Sequence, residues 1–150
     1  DARQSMEDLP DHIREHVHTS GWLPQDELAQ VLSSAGALVF IPWFEGFGIP
    51  MVEAFAAGTP VIHGDRTSLP EVAGGAGLEV DPGDANQVAQ AMRRIEEEPA
   101  LRAALIEKGQ DRADDFSWDR TSSLLWSCIS KAGSDAGIDM SGRRGGPKSV

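Results

Sequence analysis

The chain has 150 residues, enough for one domain with a sizeable core. Hydrophobic residues make up 40% and charged residues 25%, an ordinary globular balance. The 13 Lys and Arg against 24 Asp and Glu give a formal charge of −11, which argues against nonspecific binding to nucleic acid or to an anionic membrane, because both need a cationic surface.

The chain opens on Asp1 rather than methionine, as expected of a piece of something longer. Asp1 to Gln4 hold no apolar stretch, so no signal peptide is expected there. Residues 5–16 read as a short helix, with Leu9, Ile13 and Val17 spaced by four, and Val17 to Trp22 as a weak strand. A helix follows from Pro24 to Ala35. Pro24 suits a first turn, Asp26 and Glu27 suit the positive end, and Leu28, Val31, Leu32 and Ala35 line one face. Ala37 to Ile41 is a continuous apolar strand of the kind buried on both faces. The apolar run that contains it is broken by Pro42, far short of the ~20 residues that span a bilayer.

A two-glycine loop, Trp43 to Ile49, leads to Pro50, which opens a helix over Met51–Ala57 that Gly58 stops. Pro60 to His63 is a short strand. Ser68 and Glu71 have the spacing of a capping box on a small helix. Leu78 to Val80 is the next strand. Asp84 caps a helix with Gln87 three residues on and Val88, Met92 and Ile95 as its apolar face. Pro99 restarts a helix to about Asp114, with Leu101, Leu105 and Ile106 inward. Ser117 caps the last helix, where Trp118, Leu125, Cys128 and Ile129 pack. Cys128 is the sole cysteine, so no intrachain disulfide forms, and its helix face reads as an inert buried thiol. Gly133 to Val150 is glycine-rich without apolar periodicity and reads as a disordered tail; Arg143, Arg144 and Lys148 are solvated there or touch an anion. The domain is therefore placed at residues 1–132 and the tail at 133–150.

Alternating strands and helices with short connections predict an α/β fold: a Rossmann-like parallel sheet with helices on both faces. Such sheets bind ligands at the carboxyl ends of their strands. The loop after Ala37–Ile41 sits at such an end. Gly46 and Gly48 permit close backbone approach and positive φ. The amides of Gly46, Phe47, Gly48 and Ile49 precede a helix N-terminus, which favours an anion. Pro50 donates nothing, so that anion is held by the residues around it. Glu45 at the mouth can accept from hydroxyls. Glu53, expected in the first helical turn, can take two vicinal hydroxyls, as acidic residues do with ribose. An anion between two polyol-reading carboxylates describes a phosphorylated sugar. The residues alone leave a plainer reading open, in which Glu53 merely stabilises the helix.

Other signals are weaker. His12-Ile-Arg-Glu-His16 matches H-x-x-E-H, whose histidines can bind zinc, but no clear third ligand accompanies them. No metal site is expected. Trp22, Trp43, Trp118 and Trp126 can stack a sugar or a base, or pack; Trp118 reads as core and Trp43 stays open.

Glu45-Gly-Phe-Gly-Ile-Pro-x-x-Glu53-Ala, then Gly58-Thr-Pro-Val-Ile, then Ser68-Leu-Pro-Glu-Val72, resembles the C-terminal half of the group-1, retaining GT-B glycosyltransferases. The resemblance runs from about Gly21 to Lys131 and includes Gly21-Trp-Leu-Pro, Val80-Asp-Pro and Phe116-Ser-Trp118. The paired glutamates match that family's E-x7-E motif. The resemblance implies a domain that binds a nucleotide-diphosphate sugar, such as a GDP- or UDP-sugar, for retaining, metal-independent transfer to a glycan, lipid or small-molecule acceptor, with no cofactor. Glu45 would be the catalytic glutamate at the donor sugar hydroxyls. The amides of Gly46, Phe47, Gly48 and Ile49 would contact sugar and diphosphate, and Glu53 the ribose. The family's basic pair for the diphosphate, and its N-terminal acceptor domain, lie upstream of Asp1, so the fold is expected to be truncated at its N-terminus. His63 and Arg66 can face the donor phosphate, Arg66 partly replacing that pair, or belong to a solvent-exposed loop. The chain alone is expected to be inactive. The alternative is a non-catalytic nucleotide-sugar-binding fragment or a split-enzyme subunit needing a separate acceptor domain. The expected location is cytoplasmic, with peripheral membrane contact open for a full-length enzyme.

Overall fold

The computed structural model describes residues 8–137. Three parallel strands lie in the order β1 (Leu38–Phe40), β2 (Val61–Gly64), β3 (Leu78–Val80). Leu38 pairs with Val61 and Phe40 with His63; Ile62 pairs with Leu78 and Gly64 with Val80. Seven helices accompany them among the described residues: α1 (Asp11–Arg14), α2 (Gln25–Ser34), α3 (Ile49–Ala56), α4 (Leu69–Ala73), α5 (Ala85–Glu97), α6 (Pro99–Asp114) and α7 (Trp118–Asp135).

Strand alternation sorts the core into two layers. Val61 joins Leu32, Met51, Ala54, Phe55, Leu69 and Val72 on the face covered by α2, α3 and α4. Its neighbour Ile62 joins Val80, Ala91, Ile95 and Leu105 on the face covered by α5 and α6. Helices therefore cover both faces, as expected of a Rossmann-like sheet. Helix α6 spans both layers: Leu101 and Leu105 pack on the second, while Gly109 lies against Phe55 of the first.

Local signals explain the helix ends. Gly58 adopts φ +72°, its N–H donates to Phe55 O, and Thr59 N–H donates to Ala54 O. That is a Schellman termination at the glycine expected to stop α3. The buried Thr59 hydroxyl then donates to Leu32 O at 2.6 Å, tying the end of α3 to the end of α2. Asp84 Oδ1 accepts from Asn86 and Gln87 N–H, the predicted cap of α5.

Several expectations are corrected. Residues 17–22 form no strand, and Trp22 is 87% exposed. Val39 is exposed rather than buried: it lines an open groove with Met92 and Ile95 instead of packing under a helix. Val31 and Met92 are also exposed, since their helices turn other residues to the core. The largest departure is α7. It buries none of its residues; Trp118 is 88% exposed, Leu125 and Ile129 are exposed, and Cys128 is an exposed thiol rather than a packed one. Helical apolar spacing shows which residues share a face, not whether anything covers that face. α7 also continues through Asp135, into the stretch expected to be tail. Residues 5–7 of the expected first helix, and Arg143, Arg144 and Lys148, lie outside the described residues.

Candidate active site

The β1–α3 loop stands at the carboxyl end of β1. Gly48 closes it with φ +106°, ψ 43°, a left-handed geometry that favours glycine. A Cβ there would lie 3.0 Å from Leu69 Cδ2, so Gly48 is also a point of close approach to α4. Helix α3 begins directly afterwards at Ile49, one turn-fraction earlier than the sequence suggests, with Pro50 inside its first turn and no side chain capping it. Pro50 has no N–H and Met51 N–H donates to Gly48 O at 3.0 Å, so this end of α3 offers the Ile49 N–H together with the positive potential of the helix end.

Glu45 is half-buried at the start of this bend. Its Oε1 accepts from the N–H of Gly46 at 3.0 Å and of Phe47 at 3.3 Å. A carboxylate thus already occupies the acceptor position at two of the four amides expected to meet a donor. The Phe47 ring meets Phe116 edge-on, centroids 5.6 Å apart, which anchors the bend against the start of α7.

Glu53 is half-buried in the second turn of α3, not the first, because the helix starts at Ile49. It lines a groove with Gln25, Leu28, Ala29 and Leu32 of α2. Glu45 and Glu53 thus take opposite ends of the stretch they bracket: Glu45 folds onto the loop, and Glu53 faces the α2 side of α3.

Arg66 is held in place. Its Nη2 donates to Asp81 Oδ1 at 2.9 Å, its Nε lies 3.3 Å from Asp65 Oδ1, and its guanidinium stacks 4.7 Å above the Trp43 ring. Gly83 N–H also donates to Asp81 Oδ1 at 2.8 Å. That backbone bond and the Arg66 contact hold the Asp81 carboxyl below its ordinary 3.8. His63 cannot face a donor phosphate: it is 2% exposed within β2, with Nδ1 2.9 Å from Gly64 O.

Two contributors went unrecognised in the sequence. Ser68 was expected to cap α4. Instead it has helical φ and ψ, makes no cap bond, and sets its Oγ 3.1 Å from Glu45 O and 3.0 Å from Phe47 O. Thr67, with φ +56°, accepts from Glu45 N–H at 3.3 Å. No local spacing signals either contact, since they span 21 to 23 residues. The His12/His16 pattern gathers no ligand set: α1 ends at Arg14, before His16, and no group of three His, Cys, Asp or Glu able to hold a metal exists among the described residues.

The model for "Glycosyl transferases group 1" matches residues 7–112. O-antigen chain mannosyltransferase B of Escherichia coli is 34% identical over 99 residues, covering 66% of this chain and 26% of that protein. The MMP alpha-(1->4)-mannosyltransferase of Mycolicibacterium hassiacum is 35% identical over 124 residues, covering 80% of this chain and 30% of that protein. Among solved structures, sucrose-phosphate synthase from Thermosynechococcus elongatus superposes with a TM-score of 0.75 at 28% identity, covering 89% of this chain and 35% of that one. The chain therefore spans about a quarter to a third of the length of these relatives. With the match over most of its length and a parallel sheet of the GT-B kind, the chain belongs to the group 1 glycosyltransferases.

Proposed function

We propose that this chain is the donor-binding half of an enzyme that transfers a glycosyl group from a nucleotide-diphosphate sugar, with retention and without a metal. The observation that carries the reading is the bend itself: a carboxylate resting on the Gly46 and Phe47 N–H groups, ahead of a left-handed Gly48 and a helix start that no side chain caps. Donors that hold a carboxylate in this way also hold a phosphate oxygen.

On binding, the diphosphate takes the amides of Gly46, Phe47, Gly48 and Ile49. Glu45, displaced from two of them, is the catalytic glutamate that meets the hexose hydroxyls. Glu53 accepts from the ribose hydroxyls on the α2 side of the helix. Arg66 adds positive charge near the mouth, tempered by Asp65 and Asp81. As the anomeric C–O bond breaks, the nucleoside diphosphate departs with the bonding electrons, and backbone donors stabilise the charge it gains. The acceptor oxygen bonds to the same carbon and its hydroxyl proton is lost. The names of the relatives favour mannosyl as the group transferred, hence GDP-mannose, with a UDP-sugar as the other candidate. A cytoplasmic enzyme is part of this reading; no helix among the described residues is long and apolar enough to cross a membrane.

Calorimetric titration with GDP-mannose, UDP-glucose and ADP-glucose tests it. Glu53→Ala is expected to weaken every ribose-bearing donor about ten- to a hundredfold, the loss of hydrogen bonds to a charged group worth about 1.5–3 kcal/mol. Unchanged affinity overturns the role of that carboxylate. The alternative is a non-catalytic binding fragment or a split-enzyme subunit that needs a separate acceptor domain. Addition of a separately expressed acceptor domain separates the two: restored transfer supports the split enzyme, and binding without transfer supports the fragment.

A further inference from the structure

We infer that Thr67 and Ser68, on the loop between β2 and α4, are positioning residues that clamp Glu45, and that the hexose part of donor recognition depends on their hydroxyls. The inference rests on the donor reading above. Consecutive hydroxyls take the two backbone groups of one residue. Thr67 Oγ1 donates to Arg66 O at 2.8 Å, which turns a lone pair toward Glu45 N–H at 3.3 Å. Ser68 Oγ, with a single hydrogen, shares it between Glu45 O at 3.1 Å and Phe47 O at 3.0 Å. The peptide groups before and after Glu45 are therefore both fixed from a segment more than 20 residues away.

The backbone at Thr67 shows what the clamp needs. Its φ of +56° is a left-handed conformation that a β-branched residue rarely adopts, and Thr67 is the sole non-glycine with positive φ among the described residues. Glycine would take that geometry without strain but would bring no hydroxyl. Arg66, just before it, is fixed by Asp81 and Trp43. The clamp is thus built on an anchored residue rather than on a free loop.

Thr67→Gly separates positioning from stability, because it relieves the backbone while deleting the acceptor. We expect its melting temperature to equal or exceed that of the unmodified chain, while GDP-mannose and UDP-glucose bind at least fivefold more weakly, the scale of one lost hydrogen bond of about 1 kcal/mol. GDP and UDP, which carry the ribose and the diphosphate but no hexose, are expected to keep their affinity. Ser68→Ala is expected to behave likewise, and Thr67→Ser to restore binding. In the ligand-free chain, amide exchange at Glu45 and Phe47 is expected to accelerate in Thr67→Gly. If the unmodified chain binds none of these compounds, the donor reading fails and the clamp falls with it. If it binds the sugar nucleotides and Thr67→Gly and Ser68→Ala bind them equally well, the donor reading stands and the clamp alone is overturned. Parallel losses for GDP and UDP also overturn it, since they would mark a general loosening.

Discussion

Gly48 carries two constraints at once, conformation and contact. An alanine there would place Cβ 3.0 Å from Leu69 Cδ2 in a backbone at φ +106°. Because Leu69 is fully buried and cannot yield freely, we expect Gly48→Ala to lower stability by about 1–3 kcal/mol, read from urea denaturation. Asp81 makes a different kind of prediction. Its folded-state pKa lies below its ordinary 3.8, so its stabilising effect is fully present above that value and is lost as pH falls through the folded pKa. Melting temperature is therefore expected to decline below about pH 4, and Asp81→Asn to remove that part of the decline, checked by thermal melts across the acid range.

Among the elements, α3 and α6 approach closely at Gly109 and Phe55. A Cβ on Gly109 would sit 2.8 Å from Phe55 Cδ1, and Phe55 is 1% exposed. Alanine gains about 1 kcal/mol of helix propensity over glycine. The clash with an immovable ring costs about 1–3 kcal/mol, so Gly109→Ala is expected to be net destabilising in chemical denaturation, against the rule for exposed helices. Helix α7 presents the opposite case. Its apolar residues Trp118, Leu124, Leu125, Trp126 and Ile129 are all exposed, so it is held by its own hydrogen bonds, the Ser117 cap and the Arg120–Asp115 ion pair at its start rather than by burial. Hydrogen exchange is expected to show α7 opening well before α3, and Leu125→Ser to leave the melting of the rest unchanged. α4 shows how a local signal can mislead: the Ser68–Glu71 spacing is that of a capping box, yet the Ser68 hydroxyl serves the Glu45 bend instead.

At the scale of the whole molecule, a sheet of three parallel strands separates two cores and leaves the β1–α3 bend on its rim. The chain spans roughly a quarter to a third of the relatives. We expect it to bind donor and to give no glycosyl transfer on its own; radiolabelled sugar transfer by the purified chain would contradict that. Periods of two and 3.6, glycine stops and the Asp84 cap were legible in the residues, because each depends on contacts a few positions apart. The motif that spaces Glu45 and Glu53 is continuous in the chain, but what their side chains face was not legible there. The exposure of α7, the burial of His63 and the corrected turn of Glu53 were not either, because they depend on which surfaces meet. The Thr67 and Ser68 clamp belongs to the same class: it joins segments more than 20 residues apart, and only the register of β1 beside β2 brings them together. Short-range chemistry chose the strands, the helices and the residues able to hold an anion. Folding chose what each of them faces, since burial and long-range hydrogen bonds are properties of neighbours in space rather than in the chain.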